Sequence, residues 1–531
     1  MWLALLCLIY LAQCAWFLHT QSLTYDEPVH IAEGLDAWRH GRFEQYNDHP
    51  PLARLLCTLP LLAQKWQVEV QQLPKGFYVS VLDPSPGAMA WRARAVNVGL
   101  GLLLAVLLWY AAERFYSRSS AYFCLCLFVL SPALIAHFSV VTTDGAASLL
   151  IFATASQVVA WKRHPTWRNA VIMGLVLGFL LLAKFSTVLM FLLALLWMLV
   201  LGCEGIAFDP RNWNWRKAAS AMAIAFMVVW AGYFFHVSRL SIHDGILVAH
   251  LPNWREEIVK PASVRLSFSL PVPAGEYVEG LREVARHNSH GQGAYFLGTV
   301  SRTGGWKLYH PVTALLKWPT VVLILVLLGL ALVLRRKLRL STDLWIMASF
   351  PIVYFAAAIF TRFNLGERHI LPVYVFALFF IAGLWEAARP SRVLSALLIS
   401  MVLLQAADTL RYAPAYLSYF NFCVRPQDSY KLLSGSNLDW GQGLLAVRDY
   451  ERAHPGEQIW LAYFGSVDPA LYGIKAKPLP ENQRVTGTVI VGATNLSGEY
   501  LTDPNGYRWL LQHKPVATLD HALYVFKIDT P

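Results

Sequence analysis

The chain has 531 residues, of which 56% are hydrophobic and only 15% are charged. A soluble domain carries roughly 25% charged residues, so the composition excludes an ordinary soluble protein and indicates a polytopic membrane protein. The formal net charge is +11. Much of the basic charge lies in short loops between apolar runs, such as 335–339. Loops of this kind set membrane topology, so the charge does not imply a nucleic-acid partner.

Apolar stretches long enough to cross a membrane as helices recur along the chain. The eleven predicted spans are 2–19, 94–112, 121–139, 145–161, 169–184, 187–203, 217–236, 312–334, 343–360, 370–387 and 392–410. The basic loops predict a cytoplasmic N-terminus and a C-terminus on the outer side. The first stretch lacks a basic leader and a small-residue cleavage site, which favours a retained span over a signal peptide.

The same pattern divides the chain into two domains. Residues 1–411 form the predicted membrane domain, with a first outer loop at 20–93 and a middle loop at 237–311. Residues 412–531, hereafter the tail, are more polar and lie on the outer side. Strand-like segments at 459–464, 485–491 and 522–528, with a helix at 440–453, predict a small α/β domain in the tail.

Acidic residues stand on the outer side of two predicted spans. Asp26 and Glu27 follow the first span directly, and Asp144 lies between the third and fourth spans. Charges at the membrane are costly unless they are paired or functional. The structural alternative is that Asp26 and Asp144 cap the helices that follow them.

Basic residues also occur on the outer side, where topology disfavours them. Lys184 interrupts the apolar pair 169–203, and it either extends to the membrane surface or meets a phosphate. Arg362 and Arg368 follow the ninth span. The planar guanidinium group suits phosphate oxygens, and a salt bridge to a nearby carboxylate is the alternative.

Two residues of the first outer loop have metal-ligand chemistry. Asp48 and His49 precede the rigid turn Pro50-Pro51. Carboxylate and imidazole groups bind divalent metals, but two residues alone do not make a metal site. The alternative is that these side chains hold a phosphate.

Several motifs, in this order along the chain, resemble those of bacterial phospholipid-carrier-dependent glycosyltransferases. That group belongs to the glycosyltransferase-C superfamily and is similar to protein O-mannosyltransferases and aminoarabinose transferases (family 39). The motifs are Asp26-Glu27, His49-Pro50-Pro51-Leu52, the segments 270–273 and 304–311, Gly366–His369 and the tail cluster 436–442. The resemblance implies a polytopic α-helical protein of glycosyltransferase-C type in a bacterial inner membrane, with the α/β tail outside.

The resemblance also implies a reaction: inverting transfer of a sugar from a polyprenyl-phosphate donor to an acceptor hydroxyl at the non-cytoplasmic face. The implied catalytic residues are Asp26, as general base, and Glu27, which could instead orient Asp26 or contact the acceptor. The other implied site residues are His49, Lys184, Arg362 and Arg368 for the donor phosphate, Asp144 as a second acidic group, and Asn437, Asp439 and Trp440 for the acceptor.

Cofactor, acceptor and function class stay partly open. The sequence establishes no cofactor, and a divalent metal held by Asp48 and His49 is the candidate. The expected partners are the donor, membrane lipids and a protein, glycan or lipid acceptor, with no nucleic acid. The middle loop is too short for the trefoil-like domain of eukaryotic protein mannosyltransferases, and the second first-loop motif differs from that of aminoarabinose transferases. A transporter or flippase of a lipid-linked saccharide and a non-catalytic assembly subunit are the alternative functions.

Overall fold

The computed structural model describes most of the chain. The described residues are 1–43, 48–64, 66–73, 76–83, 86–203, 215–243, 246–254, 257–261, 267–338 and 340–529. Asn47, Arg339 and the first part of the basic loop at 211–217 lie outside them.

The membrane domain and its outer loops are mainly helical. Their α-helices are α1 (Trp2–Thr20), α2 (Glu27–His40), α3 (Leu52–Thr58), α4 (Pro86–Phe115), α5 (Arg118–Val129), α6 (Pro132–His137), α7 (Thr143–Arg163), α8 (Trp167–Ala183), α9 (Val188–Cys203), α10 (Trp215–Gly232), α11 (Gly275–His290), α12 (Tyr309–Lys317), α13 (Thr320–Leu334), α14 (Thr342–Phe360), α15 (Leu371–Ala388) and α16 (Arg392–Tyr412). The tail adds α17 (Leu444–Ala453) and α18 (Ala493–Ser497).

Helices occupy all eleven predicted spans, but two of these spans are broken. The stretch 121–139 is divided between α5 and α6 just before Pro132, and 312–334 is divided between α12 and α13, which are bent by 118°. Proline interrupts helices at such points because it lacks a backbone donor. Six described helices are long and apolar enough to cross a membrane, or seven if the bent pair counts as one span. The chain is a multi-pass membrane protein, and the count of eleven spans is not confirmed.

Small residues let neighbouring helices approach closely. Gly174 and Gly178 of α8 face α10, where a Cβ on Gly174 would lie 2.6 Å from the carbonyl oxygen of Ala221. A small residue at every fourth position is a common packing device between membrane helices. Larger aromatic side chains fill the centre of the bundle, where the rings of Phe152 and Phe376 lie 5.1 Å apart.

The outer loops carry short sheets. The first outer loop has a hairpin of β1 (Gln67–Leu73) and β2 (Gly76–Asp83). The middle loop has an antiparallel sheet in the order β5-β4-β3-β6, built from β3 (Val237–His243), β4 (Ile246–His250), β5 (Ile258–Pro261) and β6 (Phe268–Pro273), then a hairpin of β7 (Ala294–Phe296) and β8 (Thr299–Ser301). Pro271 and Pro273 are tolerated in β6 because it is an edge strand.

The tail folds around one mixed sheet. Its strands are β9 (Ile459–Ala462), β10 (Lys477–Pro478), β11 (Gly487–Gly492), β12 (Ala517–Leu519) and β13 (Leu523–Ile528), in the order β10-β9-β11-β13-β12. The three predicted strands correspond to β9, β11 and β13, and the predicted helix is α17. The two edge strands, β10 and β12, are very short and were not predicted.

The tail is attached directly to the first outer loop. The amide of Ser22 donates to the carbonyl oxygen of Gln442 at 2.8 Å, and the amide of Tyr25 donates to that of Trp440 at 2.8 Å. These bonds extend the backbone of the loop along a tail segment. The segment between α1 and α2 is therefore fixed at both ends by these helices and along its length by hydrogen bonds to the tail.

Candidate active site

Asp26 lies at the end of the segment between α1 and α2. It occupies the position before the first turn of α2, but its side chain makes no capping hydrogen bond. Instead, its Oδ2 accepts a hydrogen bond from Nη1 of Arg368 at 3.0 Å, and 28% of the side chain stays exposed. Burial raises the pKa of Asp26, and the guanidinium of Arg368 opposes that rise. The carboxylate is thus accessible and more basic than an ordinary aspartate.

Glu27 has a different environment from its neighbour. Its carboxylate is fully buried and accepts hydrogen bonds from Nε and Nη2 of Arg94 at 2.7 and 2.6 Å. The amides of Thr24 and Val141 donate to it at 2.7 and 2.8 Å. A carboxylate with all of these partners holds the segment in place. This placement argues against the expected catalytic role of Glu27.

Arg368 links the first outer loop with the membrane helices. It lies in a 3-10 turn at Glu367–Ile370, directly before α15. Its guanidinium is 3.0 Å from Asp26, 3.9 Å from Asp144 and 4.2 Å from the ring centroid of Trp440. The buried Nε of Arg368 has no hydrogen-bond partner among the described residues. An N–H group held in this fixed geometry is well suited to donate a hydrogen bond to a phosphate oxygen.

A second cation lies beside Asp144. Nζ of Lys184 donates to Oδ1 of Asp144 at 2.5 Å, and both side chains are buried. Lys184 stands at the break after α8, and Asp144 is in the first turn of α7. Asp26, Arg368, Asp144 and Lys184 therefore form a row of alternating charges. An anion bound beside these residues could contact two cations, Arg368 and Lys184.

Two histidines complete this side of the site. The rings of His30 and His49 lie 5.5 Å apart, and Nε of Arg54 donates to Nδ1 of His30 at 3.2 Å. Burial, followed by the charge of Arg54, holds the pKa of both histidines well below the ordinary value. His49 is therefore neutral near pH 7, and it can serve a phosphate as a hydrogen-bond donor but not as a cation.

Two adjoining cavities meet at these residues. The large cavity, about 640 Å³, is lined by the first outer loop, the middle loop, the segment around Arg368 and the tail, and it includes Asp26. The small cavity, about 270 Å³, extends between the membrane helices and includes Lys184 and Asp144. Its apolar wall comes from Leu189 of α9 and from α14. Arg368 and His49 line both cavities.

Besides Glu27, three of the expected site residues line neither cavity. Arg362 donates to the carbonyl oxygen of Ser289 at 2.7 Å. The side chain of Asn437 accepts from the amide of Glu367 at 3.0 Å, and Asp439 accepts from the amide of Thr494 at 3.1 Å. Burial raises the pKa of Asp439 to about 7. These contacts give Arg362, Asn437 and Asp439 structural functions, whereas Trp440 does line the large cavity.

The architecture is shared with a solved membrane glycosyltransferase. The structure of the S. cerevisiae protein O-mannosyltransferase Pmt1-Pmt2 complex bound to the sugar donor superimposes with a TM-score of 0.51, over 78% of this chain and 90% of that chain. This chain has the glycosyltransferase-C fold. Because the sequence identity is 11%, the likeness establishes the fold alone.

Two further likenesses are weaker. ArnT from Cupriavidus metallidurans bound to undecaprenyl phosphate gives a TM-score of 0.48 at 12% identity, over 100% of this chain and 98% of that chain. The Archaeoglobus fulgidus oligosaccharyltransferase in complex with Zn and sulfate gives 0.49 at 11% identity, over 94% of this chain and 68% of that chain. Both TM-scores are below 0.5, so neither carries an argument. No protein-family model and no curated protein matches the chain.

The glycosyltransferase-C fold of this chain also brings residues to the site that the sequence did not indicate. The large cavity includes aromatic and acidic side chains from separate segments, namely Tyr25, Phe464, Glu481, Glu499 and Tyr500. Phe464 follows a strand of the tail, and loops of that kind often carry functional residues. That signal is too general to select the residue in advance.

Within the part of the chain that the structure describes, the metal prediction for Asp48 and His49 gains no further ligand. Among the described residues, no group of three or more His, Cys, Asp or Glu side chains could hold a metal ion. Asp48 and His49 line both cavities, and Asp48 lies 3.4 Å from Arg54. Metal dependence therefore stays a prediction from the sequence.

Proposed function

We propose that this protein transfers a sugar from a polyprenyl-phosphate donor to an acceptor hydroxyl, with Asp26 as general base. The observation that carries the proposal is the position of Asp26. It lies beside Arg368, where a cavity between membrane helices meets a cavity beneath the tail. A donor with a lipid tail and an acceptor from outside the membrane would meet at this junction.

The small cavity suits the donor phosphate and its lipid. Lys184 and Arg368 supply positive charge, and neutral His49 supplies a hydrogen bond. The apolar wall from α9 and α14 is compatible with a polyprenyl chain that stays in the bilayer. The fold agrees with this assignment, because the S. cerevisiae structure that shares it was solved with its sugar donor bound.

The chemistry is a single displacement. The acceptor oxygen forms a bond to the anomeric carbon while its proton passes to the carboxylate of Asp26. The bond between the anomeric carbon and the phosphate oxygen breaks, and its electron pair leaves with the polyprenyl phosphate. Arg368 and Lys184 stabilise the charge on that leaving group. Attack from the face opposite the phosphate inverts the configuration of the anomeric carbon.

The site belongs on the outer face of a bacterial inner membrane. The basic loops on the opposite side support this orientation, with a cytoplasmic N-terminus and an external tail. The acceptor would then be a molecule of the compartment outside that membrane. A protease added to spheroplasts should therefore cleave the tail but not the basic loops.

The proposal is tested by transfer of radiolabelled sugar in membranes that contain the protein and a panel of polyprenyl-phosphate sugars. Asp26→Asn should lower transfer by about 10² to 10⁴-fold, because it removes the base. Asp36→Asn is the matched control. Asp36 is a partly exposed carboxylate of α2, the helix that begins directly after Asp26, and it pairs with Arg42. This substitution should leave transfer unchanged.

Two results would count against the proposal. Full transfer by Asp26→Asn would exclude this residue as the base. If wild-type protein consumes no donor, but moves a labelled lipid-linked saccharide between leaflets after reconstitution, the protein is a flippase.

A further inference from the structure

Three aromatic rings form a continuous stack on one wall of the large cavity. The rings of Tyr25 and Phe464 are nearly parallel, with centroids 4.9 Å apart and planes inclined by 3°. Those of Phe464 and Tyr500 are 5.0 Å apart and inclined by 11°. All three side chains are half-buried, so each ring keeps part of its surface in the cavity.

The stack is held rigidly by contacts between the tail and the first outer loop. The amide of Tyr25 donates to the carbonyl oxygen of Trp440 at 2.8 Å, and the hydroxyl of Ser466 donates to the carbonyl oxygen of Tyr25 at 2.6 Å. Tyr25 directly precedes Asp26 in the sequence. The aromatic wall therefore begins beside the proposed base and continues into the tail.

Acidic side chains lie on the same cavity. Glu499 is 4% exposed, accepts a hydrogen bond from the hydroxyl of Ser434, and lines the cavity with Glu481. Burial raises the pKa of Glu499 to about 7. Near neutral pH this group can accept a hydrogen bond as a carboxylate or donate one as a carboxylic acid.

We infer that the acceptor is a saccharide whose sugar rings lie along Tyr25, Phe464 and Tyr500 while its reacting hydroxyl reaches Asp26. This inference rests on the proposed function. A sugar ring has apolar C–H faces, which suit the aromatic surface that the stack leaves uncovered in the cavity. It also has a rim of hydroxyl groups, which suit carboxylate oxygens. The volume of about 640 Å³ is in the range of ordinary ligand sites.

The other acceptor classes fit the cavity less well. A peptide presents a carbonyl oxygen for each N–H group along its backbone, and an ionised Glu481 can accept from the N–H groups but offers no donor to the carbonyl oxygens. A lipid acceptor would need an apolar path from the bilayer to Asp26. That path is the small cavity, lined by Leu189 and α14, which the donor occupies in the proposed reaction.

The inference is tested by saturation-transfer NMR on the purified full-length protein in detergent. The probes are three neutral disaccharides (maltose, lactose and diacetylchitobiose) and a Ser/Thr-rich peptide. Wild-type protein should bind at least one disaccharide. Phe464→Leu should weaken that binding about tenfold, because it removes a ring but keeps the apolar volume. Glu499→Gln, which is nearly isosteric, should also weaken it.

Tyr450→Leu is the matched control. The ring of Tyr450 stacks on His454 with centroids 4.0 Å apart, also in the tail, but it does not line the cavity. Disaccharide binding should be unchanged in this variant. No disaccharide binding by wild-type protein, or binding that Phe464→Leu and Glu499→Gln both leave unchanged, would overturn the inference.

The experiments distinguish a failure of the saccharide-acceptor inference from a failure of the proposed transfer reaction. Asp26→Asn should still bind the disaccharide, while Phe464→Leu should raise KM for it without weakening donor binding. Transfer to the peptide alone would overturn the saccharide acceptor and leave the transferase intact. Disaccharide binding together with full transfer by Asp26→Asn would overturn the base and leave the saccharide site intact.

Discussion

Neighbouring carboxylates in this protein have different environments. Asp26 is partly exposed, and among the described residues Arg368 is its one charged partner within salt-bridge distance. Glu27 is fully buried and is held by Arg94, which lies 67 positions further along the chain. The Asp-Glu pair pointed to a segment that lines the large cavity. It could not distinguish the two environments, because the difference depends on Arg94, which belongs to another helix.

This difference predicts that substitutions at the two positions change the free energy of unfolding by different amounts. Glu27→Gln should lower the free energy of unfolding by about 3 kcal/mol, because it leaves the charge of Arg94 buried without its partner. Asp26→Asn should change stability by less than about 1 kcal/mol, because burial already disfavours the ionised form. Thermal unfolding in detergent compares the two. Equal losses in both variants would contradict the distinction.

The environment of Asp26 also predicts the pH dependence of transfer. The base must be ionised, so activity is lost as the pH falls through its pKa. Because burial raises that pKa, the acidic limb of kcat/KM should lie above the pH at which an ordinary aspartate titrates, near 3.8. Arg368→Gln removes a charge that favours the carboxylate, so it should move the limb to still higher pH. A limb that moves to lower pH would contradict this account.

At the scale of elements, the turn that carries Arg368 is secured by a buried lysine. Nζ of Lys317, at the end of α12, lies 3.2 Å from Glu367. It also donates to the carbonyl oxygens of Leu417 and Asn437, at 3.0 and 2.5 Å. One ammonium group thus joins a membrane helix, the Arg368 turn and the start of the tail. Its three N–H donors are fully used.

Replacing this lysine should loosen the tail. Lys317→Met should lower the free energy of unfolding by about 3 kcal/mol, since Glu367 and two carbonyl groups lose a buried partner. Limited proteolysis should then cleave the tail faster than in wild-type protein. Lys307→Met is the control, because Lys307 is exposed and lies over the ring of Phe360 at 5.6 Å. Equal cleavage rates in the two variants would count against this function of Lys317.

The sequence predicted the elements better than their junctions. Apolar length located helices at every predicted span, and alternation located β9, β11 and β13. The breaks at Pro132 and Pro319 could be suspected locally, but the 118° bend between α12 and α13 depends on contacts from distant segments. Likewise, the polar residues 436–439 resemble a ligand site in sequence. In the structure, Asn437 and Asp439 fasten backbone amides of other segments.

At the scale of the whole molecule, the proposed reaction uses a different cavity for the donor and for the acceptor. The small cavity is bounded by membrane helices, and the large cavity by the outer loops and the tail. Arg368 and His49 line both, so the two cavities adjoin at these residues. The sequence implied both partners only through a family resemblance. It gave no sign of two cavities, since their walls come from segments hundreds of residues apart.

This arrangement predicts the kinetic order of the proposed reaction. Both substrates should be bound together before any bond breaks, so plots of reciprocal velocity against reciprocal donor concentration should intersect as the acceptor is varied. Parallel lines would indicate a covalent sugar–enzyme intermediate. That result would make Asp26 a nucleophile and the reaction a retaining one. The anomeric configuration of the product, determined by NMR, shows independently whether the reaction inverts or retains the configuration of the donor.

The bonds between the first outer loop and the tail have a consequence for biosynthesis. The hydroxyl of Ser22 donates to the carbonyl oxygen of Gly441, 419 positions away. During translation, the segment around Asp26 emerges long before its hydrogen-bonding partners at 440–442. A nascent chain that is already inserted in the bilayer lacks these contacts until the tail has been synthesised. The segment that carries the proposed base therefore reaches its final arrangement only after residues 440–442 have been added to the chain.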